Sequence, residues 1–265
     1  SDIRLAKQFC KASGTYGAES YINGLSGHVL DILLIHYESF ENFLKAASQW
    51  EGKTIIDPEN KHDNALANLN EAKTHSPLIV IDPVDPSRNA AAALGEEKYD
   101  TFIDVAKHYL KEPTEAYFTI TRITPELLRK HKSGDDALYM LEVEPLEGKP
   151  DVSYTKVLKV FEFLQRELKD HGFTVQQAGW QPADLLFFYV DATPLTQEVV
   201  RRGPPAHQTK DVEKFKAANA ETFEQNGFWF VKEKRPFTEA QDLLEHFLAN
   251  EYVQSRVAAI RLHSF

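Results

Sequence analysis

The apolar rhythm of this chain changes once, just beyond Pro113, and that change divides it in two. Before it, Val29, Ile32, Leu33, His36, Phe40, Phe43, Leu44 and Ala47 recur at helical spacing, up to Trp50-Glu51-Gly52. Tyr99, Phe102, Ile103, Ala106 and Leu110 repeat that spacing up to the proline. Stripes of this kind need one another to bury their apolar faces, so residues 1–112 read as a mainly helical domain. Between them, 57–74 is a polar insert rich in Asn, Asp and Lys, read as a surface loop or short exposed helix. After the change, 117–122 and 137–143 alternate like strands. Val157, Leu158, Phe161, Leu164 and Leu168 then mark a helix closing at Gly172, followed by strands at 173–177 and 184–190. A turn at Gly203-Pro204-Pro205 leads to a helix near 212–218, a strand over 228–234 and a helix carrying Leu243, Leu244, Phe247 and Leu248. The expected class is α+β. Residues 113–265 should form an antiparallel sheet with helices on one face, as in RNA-recognition-like modules.

Composition narrows the function. A chain of 265 residues with 42% apolar and 11% aromatic content can fill more than one core. Its single cysteine, Cys10, excludes an internal disulfide framework and a multi-cysteine zinc site, and points to a reducing, cytoplasmic setting. The longest apolar run, 29–37, is interrupted by Asp31 and His36 and falls short of the roughly 20 residues a membrane helix needs. Ten histidines are scattered, with His28 and His36 eight apart on one helix, and none has zinc-ligand spacing. They read as packing or surface residues, and no metal ligand is expected in the chain. A net charge of −10 excludes loose, sequence-blind nucleic-acid binding but leaves room for a local basic strip. One exists. Residues 199–237 hold Arg201, Arg202, Lys210, Lys214, Lys216, Lys232, Lys234 and Arg235 against five acidic residues. Phe228, Trp229, Phe230 and Phe237 interleave with it. Such rings can stack on RNA bases, but they read first as the core face of a strand whose lysines are solvated.

Two motifs carry chemistry. In the first, Lys7-Gln8-Phe9-Cys10-Lys11 runs into Gly14-Thr15-Tyr16-Gly17-Ala18-Glu19, a helix ending in a glycine-bracketed turn that presents Tyr16. An ammonium and a phenol hydroxyl converging on one spot suit phosphate oxygens. The same residues also read as a plain helix C-cap with a half-buried tyrosine. In the second, the apolar strand Ile79-Val80-Ile81 enters Asp82-Pro83-Val84-Asp85-Pro86 and then an alanine-rich helix opened by Ser87-Arg88-Asn89. That setting would hold Arg88 rigidly, as a base-reading guanidinium requires. Asp82 and Asp85 have the look of a metal pair, but in Asp-Pro context they read as turn and capping carboxylates.

Together with Gly24-Leu25-Ser26-Gly27, these motifs resemble the class I, archaeal-type, tRNA CCA-adding nucleotidyltransferases through most of residues 2–112 and weakly onward to Gly203. The resemblance implies a helical neck or central domain followed by an RNA-binding body and tail. It implies that Lys7 and Tyr16 bind the triphosphate of incoming CTP or ATP, and that Arg88 helps read the base. It also implies that Arg201, Arg202, Lys210, Lys214, Lys232, Lys234 and Arg235 meet the acceptor and TΨC region of tRNA. The family's catalytic head carries a Gly-Ser motif and an Asp-x-Asp pair for Mg2+; the sequence contains neither. No catalytic residue is therefore expected here, and the chain, which opens at Ser1 inside a helix, reads as one part of a longer or split enzyme partnered by a catalytic head. The alternative is a stand-alone tRNA-binding protein derived from that enzyme.

Overall fold

The computed structural model describes residues 1–62, 66, 69–132, 134–182 and 184–265. The chain forms two compact units, Ser1–Arg122 and Ile123–Phe265. Residues of the expected polar-insert helix that fall at 63–65, 67 and 68 lie outside the described residues.

The first unit is built from α1 (Asp2–Ala12), α2 (Gly27–Tyr37), α3 (Phe40–Ala47) and α4 (Glu96–Lys111). The apolar stripe read as continuous over 29–47 is broken between α2 and α3. Glu38 takes a left-handed φ of 67°, and the Ser39 hydroxyl then caps α3 by accepting from the Asn42 N–H. The core is unusually aromatic at its centre. Phe9 is fully buried and its ring meets those of Phe40, Phe102, Tyr109, Tyr117 and Phe118. A two-stranded parallel pair, β1 (Thr54–Ile56) and β2 (Leu78–Val80), lies in the same unit.

The unit continues past 112, and the alternating segment 117–122 is not a strand. Residues Glu115–Phe118 form a 3-10 turn. Tyr117 and Phe118 both pack against the helical core, and the Gln8 side chain fastens the Phe118 carbonyl at 2.7 Å.

The second unit holds a four-stranded antiparallel sheet in the order β4-β5-β3-β9, with β3 Asp136–Pro145, β4 Val175–Gln181, β5 Leu185–Asp191 and β9 Val257–Ser264. One face packs on α6 (Pro150–Asp170) through Val157, Val160, Leu164 and Leu168, joined by Leu243 and Leu244 of α8 (Ala240–Leu248). The other face is not bare, as a one-sided sheet would be. Leu128 of α5 (Pro125–His131) joins Leu138, Met140, Leu185, Phe187 and Tyr189 there, and the Tyr189 hydroxyl donates to the Leu128 carbonyl at 2.6 Å. That explains why β5 reads Leu-Leu-Phe-Phe-Tyr-Val with no polar alternation.

Between β5 and α8 the chain makes a second antiparallel sheet, ordered β6-β8-β7, from β6 (Glu198–Pro205), β7 (Thr222–Gln225) and β8 (Phe228–Lys234), with α7 (Thr209–Ala218). A hydrogen bond from the Leu195 N–H to the Thr238 carbonyl closes the base of this insertion. Gly203-Pro204-Pro205 is not the expected turn but the end of β6, an outer strand, where a missing N–H is tolerated. Gly203 is required by packing: a Cβ there would lie 2.5 Å from the Phe215 ring of α7.

Candidate nucleotide and RNA sites

The first motif folds into a clasp. The Leu25 N–H donates to the Thr15 carbonyl at 2.7 Å and the Gly17 N–H to the Leu25 carbonyl at 2.9 Å, so the two glycine-containing segments zip together beside α1. This sets Tyr16 over the start of α2, whose N-cap Ser26 accepts from the Val29 N–H. Lys7 arrives at the same place. A Cβ added at Gly27 would sit 3.1 Å from the Tyr16 hydroxyl and 3.5 Å from Lys7 Nζ, so a side chain there would press on both groups. Lys7 also pairs with Asp31 at 3.1 Å, one turn into α2. Lys11, one turn along α1, places its ammonium 5.1 Å from the Tyr16 ring centroid. An ammonium and a phenol hydroxyl thus meet beside Gly27 at the start of α2, with the Asp31 carboxylate balancing the ammonium and a second ammonium, that of Lys11, near the Tyr16 ring.

The second motif differs from its sequence reading in one respect: residues 89–94 form turns, not an alanine-rich helix. Asn89 is the reason. Its carboxamide oxygen accepts from the Val80 and Ala91 N–H groups at 3.0 and 2.9 Å, while its nitrogen donates to the Lys73 and Leu78 carbonyls. The segment is therefore sewn to β2 rather than coiled. Asp82 and Asp85 act as turn carboxylates, accepting from the Val84 N–H and from Ser87 N–H and hydroxyl. The polar insert clamps the turn from outside. His62 reaches the Pro86 carbonyl at 2.7 Å and Lys73 the Ser87 carbonyl at 2.8 Å. Neither residue stood out in the sequence, because nothing local marks so remote a partner.

Arg88 is carried at the rim of this turn. Its side chain is 58% exposed, and its nearest charge is Asp82 at 3.6 Å. Asp82, only 3% exposed, also meets the His28 ring at 3.1 Å. Since His28 follows Gly27, the residues between Lys7 and Arg88 form a connected series: Tyr16 and Lys7 at Gly27, then His28, Asp82 and Arg88.

Burial alone would raise the Asp82 carboxyl, but hydrogen bonds from the His28 ring and from the Val84 and Asp85 N–H groups outweigh it and hold Asp82 below the ordinary carboxylate range. A depressed folded-state value contributes stability that is full above the unfolded value of about 3.9 and is lost as pH falls through the folded one. Asp82→Asn should therefore remove an acid-sensitive part of the first unit's stability. Urea midpoints followed by Trp50 fluorescence, with Trp180 and Trp229 replaced by phenylalanine in both proteins, should fall less steeply from pH 7 to pH 3 in the variant; parallel curves would contradict this. Cys10, fully buried, has its thiol pushed up to about 12 by burial, against a smaller opposing hydrogen bond from Thr15, and is chemically quiet.

The basic strip of 199–237 does not form one surface. Arg201 is held by Glu233, with Nε 3.1 Å from the carboxylate, and its guanidinium lies 5.6 Å from the Phe215 ring. Arg235 donates to the His171 carbonyl at 3.0 Å and so caps the C-terminal end of α6. These two arginines of the expected RNA-contact set are engaged within the fold. Lys210 and Lys214 are exposed on α7. Arg202, Lys232 and Lys234 are exposed on the sheet. The rings also depart from expectation: Phe228, Trp229 and Phe230 are all partly exposed, and only Val231 between them and the lysines is buried.

With this geometry in place, the chain's relatives can be compared. Residues 1–119 match the family of the tRNA nucleotidyltransferase second domain, and residues 137–256 match the CCA-adding enzyme C-terminal domain. Fold and matches together define the second and C-terminal domains of a tRNA nucleotidyltransferase. The CCA-adding enzyme of Methanosarcina acetivorans is 31% identical over 275 residues, covering 97% of this chain and 59% of that protein. That of Methanosarcina mazei is 32% identical, covering 94% and 56%, and that of Pyrobaculum aerophilum is 34% identical, covering 78% and 46%. The chain belongs to the CCA-adding enzyme family, and it spans about half the length of the curated relatives it matches. No helix among the described residues is long and apolar enough to cross a membrane.

Proposed function

We propose that these residues are the substrate-recognition portion of an enzyme that adds CCA to the 3′ end of tRNA from CTP and ATP, working in the cytoplasm. The observation that carries this reading is the convergence of Lys7 Nζ and the Tyr16 hydroxyl on Gly27 at the start of α2. There they bind the triphosphate shared by CTP and ATP. Arg88, on the same connected series, offers a planar fork of donors to the incoming base or a neighbouring phosphate, which a lysine cannot match. Lys210 and Lys214 with Arg202, Lys232 and Lys234 meet the acceptor and TΨC region of the tRNA.

Nucleotidyl transfer itself needs Mg2+ held by paired carboxylates. The Asp82 and Asp85 pair does not fit that role, since both carboxylates are already occupied by turn N–H groups, His28 and the Ser87 hydroxyl. The metal chemistry is assigned to a catalytic head outside these 265 residues. The reading favoured over a stand-alone RNA-binding protein is the one that uses the Gly27 clasp.

Lys7→Ala should weaken binding of CTP and of ATP by similar factors, on the order of tenfold for removal of one charge-assisted hydrogen bond. Arg88→Lys should leave affinity for the shared triphosphate intact while reducing the preference between nucleotides when a catalytic head is supplied. Equilibrium binding of labelled CTP and ATP checks the first, and incorporation ratios on tRNA ending at the discriminator base check the second. A Lys7→Ala chain that binds both nucleotides as the parent does would exclude the clasp as the triphosphate site.

A further inference from the structure

The second sheet has two faces, and the contacts of α7 tell them apart. Arg201 and Gly203 of β6 both meet Phe215 of α7, and Lys216 of α7 lies 3.6 Å from the Trp229 ring centroid. The helix therefore covers the face that carries Arg201, Gly203, Trp229 and Val231. Strand alternation then puts Val200 and Arg202 of β6, Phe228, Phe230, Lys232 and Lys234 of β8, and Phe223 of β7 on the opposite face. Phe223 and Phe230 stack on each other, centroids 5.5 Å apart and planes 20° from parallel. The Arg202 guanidinium lies 3.5 Å from the Phe228 centroid. None of these rings joins a hydrophobic core of the described residues, and Val200 among them is 52% exposed.

We propose that this open face is a stacking platform for exposed nucleobases of RNA. The proposal rests on the reading of the chain as an RNA-binding part of a CCA-adding enzyme and adds to it an interaction that charge alone does not supply. The Phe223–Phe230 stack and the Phe228 ring capped by Arg202 are each partly exposed, and every base has a π-face with which it can extend such a stack. The three cations around them, opposed among the strand residues of that face only by Glu198, select a polyanion on a chain whose net charge is −10. Because rings read no hydrogen-bond pattern, the platform accepts a base for being unstacked rather than for its identity. That is the recognition a protein needs when it must accept many tRNAs.

The test uses the 265-residue chain and a fluorescently labelled tRNA ending at its discriminator base. Replacing Phe228 and Phe230 together by leucine keeps apolar bulk and removes the π-faces. Affinity should fall on the order of tenfold or more, while the slope of log affinity against log salt stays as in the parent. Lys232→Gln with Lys234→Gln should instead flatten that slope by about one unit for each phosphate no longer neutralised. Unchanged affinity in the double leucine variant would overturn the platform and leave tRNA binding by charge in place. Failure of the unaltered chain to bind tRNA would overturn the parent reading as well. If the leucine variant does not fold, photocrosslinking the unaltered chain to tRNA carrying 4-thiouridine decides the matter. Adducts on the 223–234 peptides are expected, and adducts confined to other peptides would exclude the platform.

Discussion

Replacing Asn89 by alanine is expected to destabilise the first unit by roughly 3 kcal/mol or more, from the cost of leaving several buried backbone groups unpaired. The side chain is 3% exposed and serves four backbone partners: the N–H groups of Val80 and Ala91 and the carbonyls of Lys73 and Leu78. Alanine supplies none of these bonds, and the space is too enclosed for solvent to restore them all. Asn89→Asp should be comparably damaging for a different reason. It keeps an acceptor for the two N–H groups but turns a negative oxygen towards two carbonyls. Urea unfolding followed by Trp50 fluorescence, with Trp180 and Trp229 again replaced by phenylalanine, measures both. A loss below about 1 kcal/mol for the alanine variant would mean that β2 and the Arg88 turn do not depend on this residue. The consequence for function should be disproportionate, because Arg88 is the neighbouring residue and its carbonyl accepts from the Asp82 N–H across the same turn.

Phe9→Ala should cost about 3–5 kcal/mol, the range for emptying a fully buried aromatic site. Its ring touches five others, and two of these, Tyr117 and Phe118, belong to the segment that follows α4. Thermal melting should show the first unit unfolding well below its normal midpoint. Limited proteolysis should show new cleavage across 113–122, since Tyr117 and Phe118 lean on this ring and on Phe40 and Tyr109, which pack against it, with Gln8 as the added hydrogen bond. Retained protection there would indicate that the segment is held by something other than the Phe9 cluster.

Much of the fold could be read from periodicity. The helices at 27–47 and 96–111, the strands at 136–145, 185–191 and 228–234, and the long helix of the second unit all follow spacing that local sequence expresses directly. The failures share a cause: a pattern of alternation says which residues share a face but not what covers it. Residues 117–122 alternate like a strand, yet Tyr117 and Phe118 close a helical core. The 228–230 rings alternate correctly, but α7 covers the Trp229 side and leaves the two phenylalanines outside. In the basic strip, the intramolecular partners of Arg201 and Arg235 were hidden for a related reason, being 32 and 64 residues away in sequence. At the nucleotide site the two motifs named Lys7, Tyr16 and Arg88, whereas His28, His62 and Lys73 became visible only once the chain had folded them against the Asp-Pro turn.

The ending of β6 also bears on how the molecule behaves in a crowded solution. An outer strand with a regular row of free N–H and C=O groups is a template on which a second chain can extend the sheet. Here the row stops at Pro204 and Pro205, which have no N–H to offer, and the register is already shifted between Arg202 and Pro205. An incoming strand would meet a missing N–H and a bend where it needs a straight ladder. The end of β6 is thereby blunted against extension of the sheet on that side, next to its aromatic face.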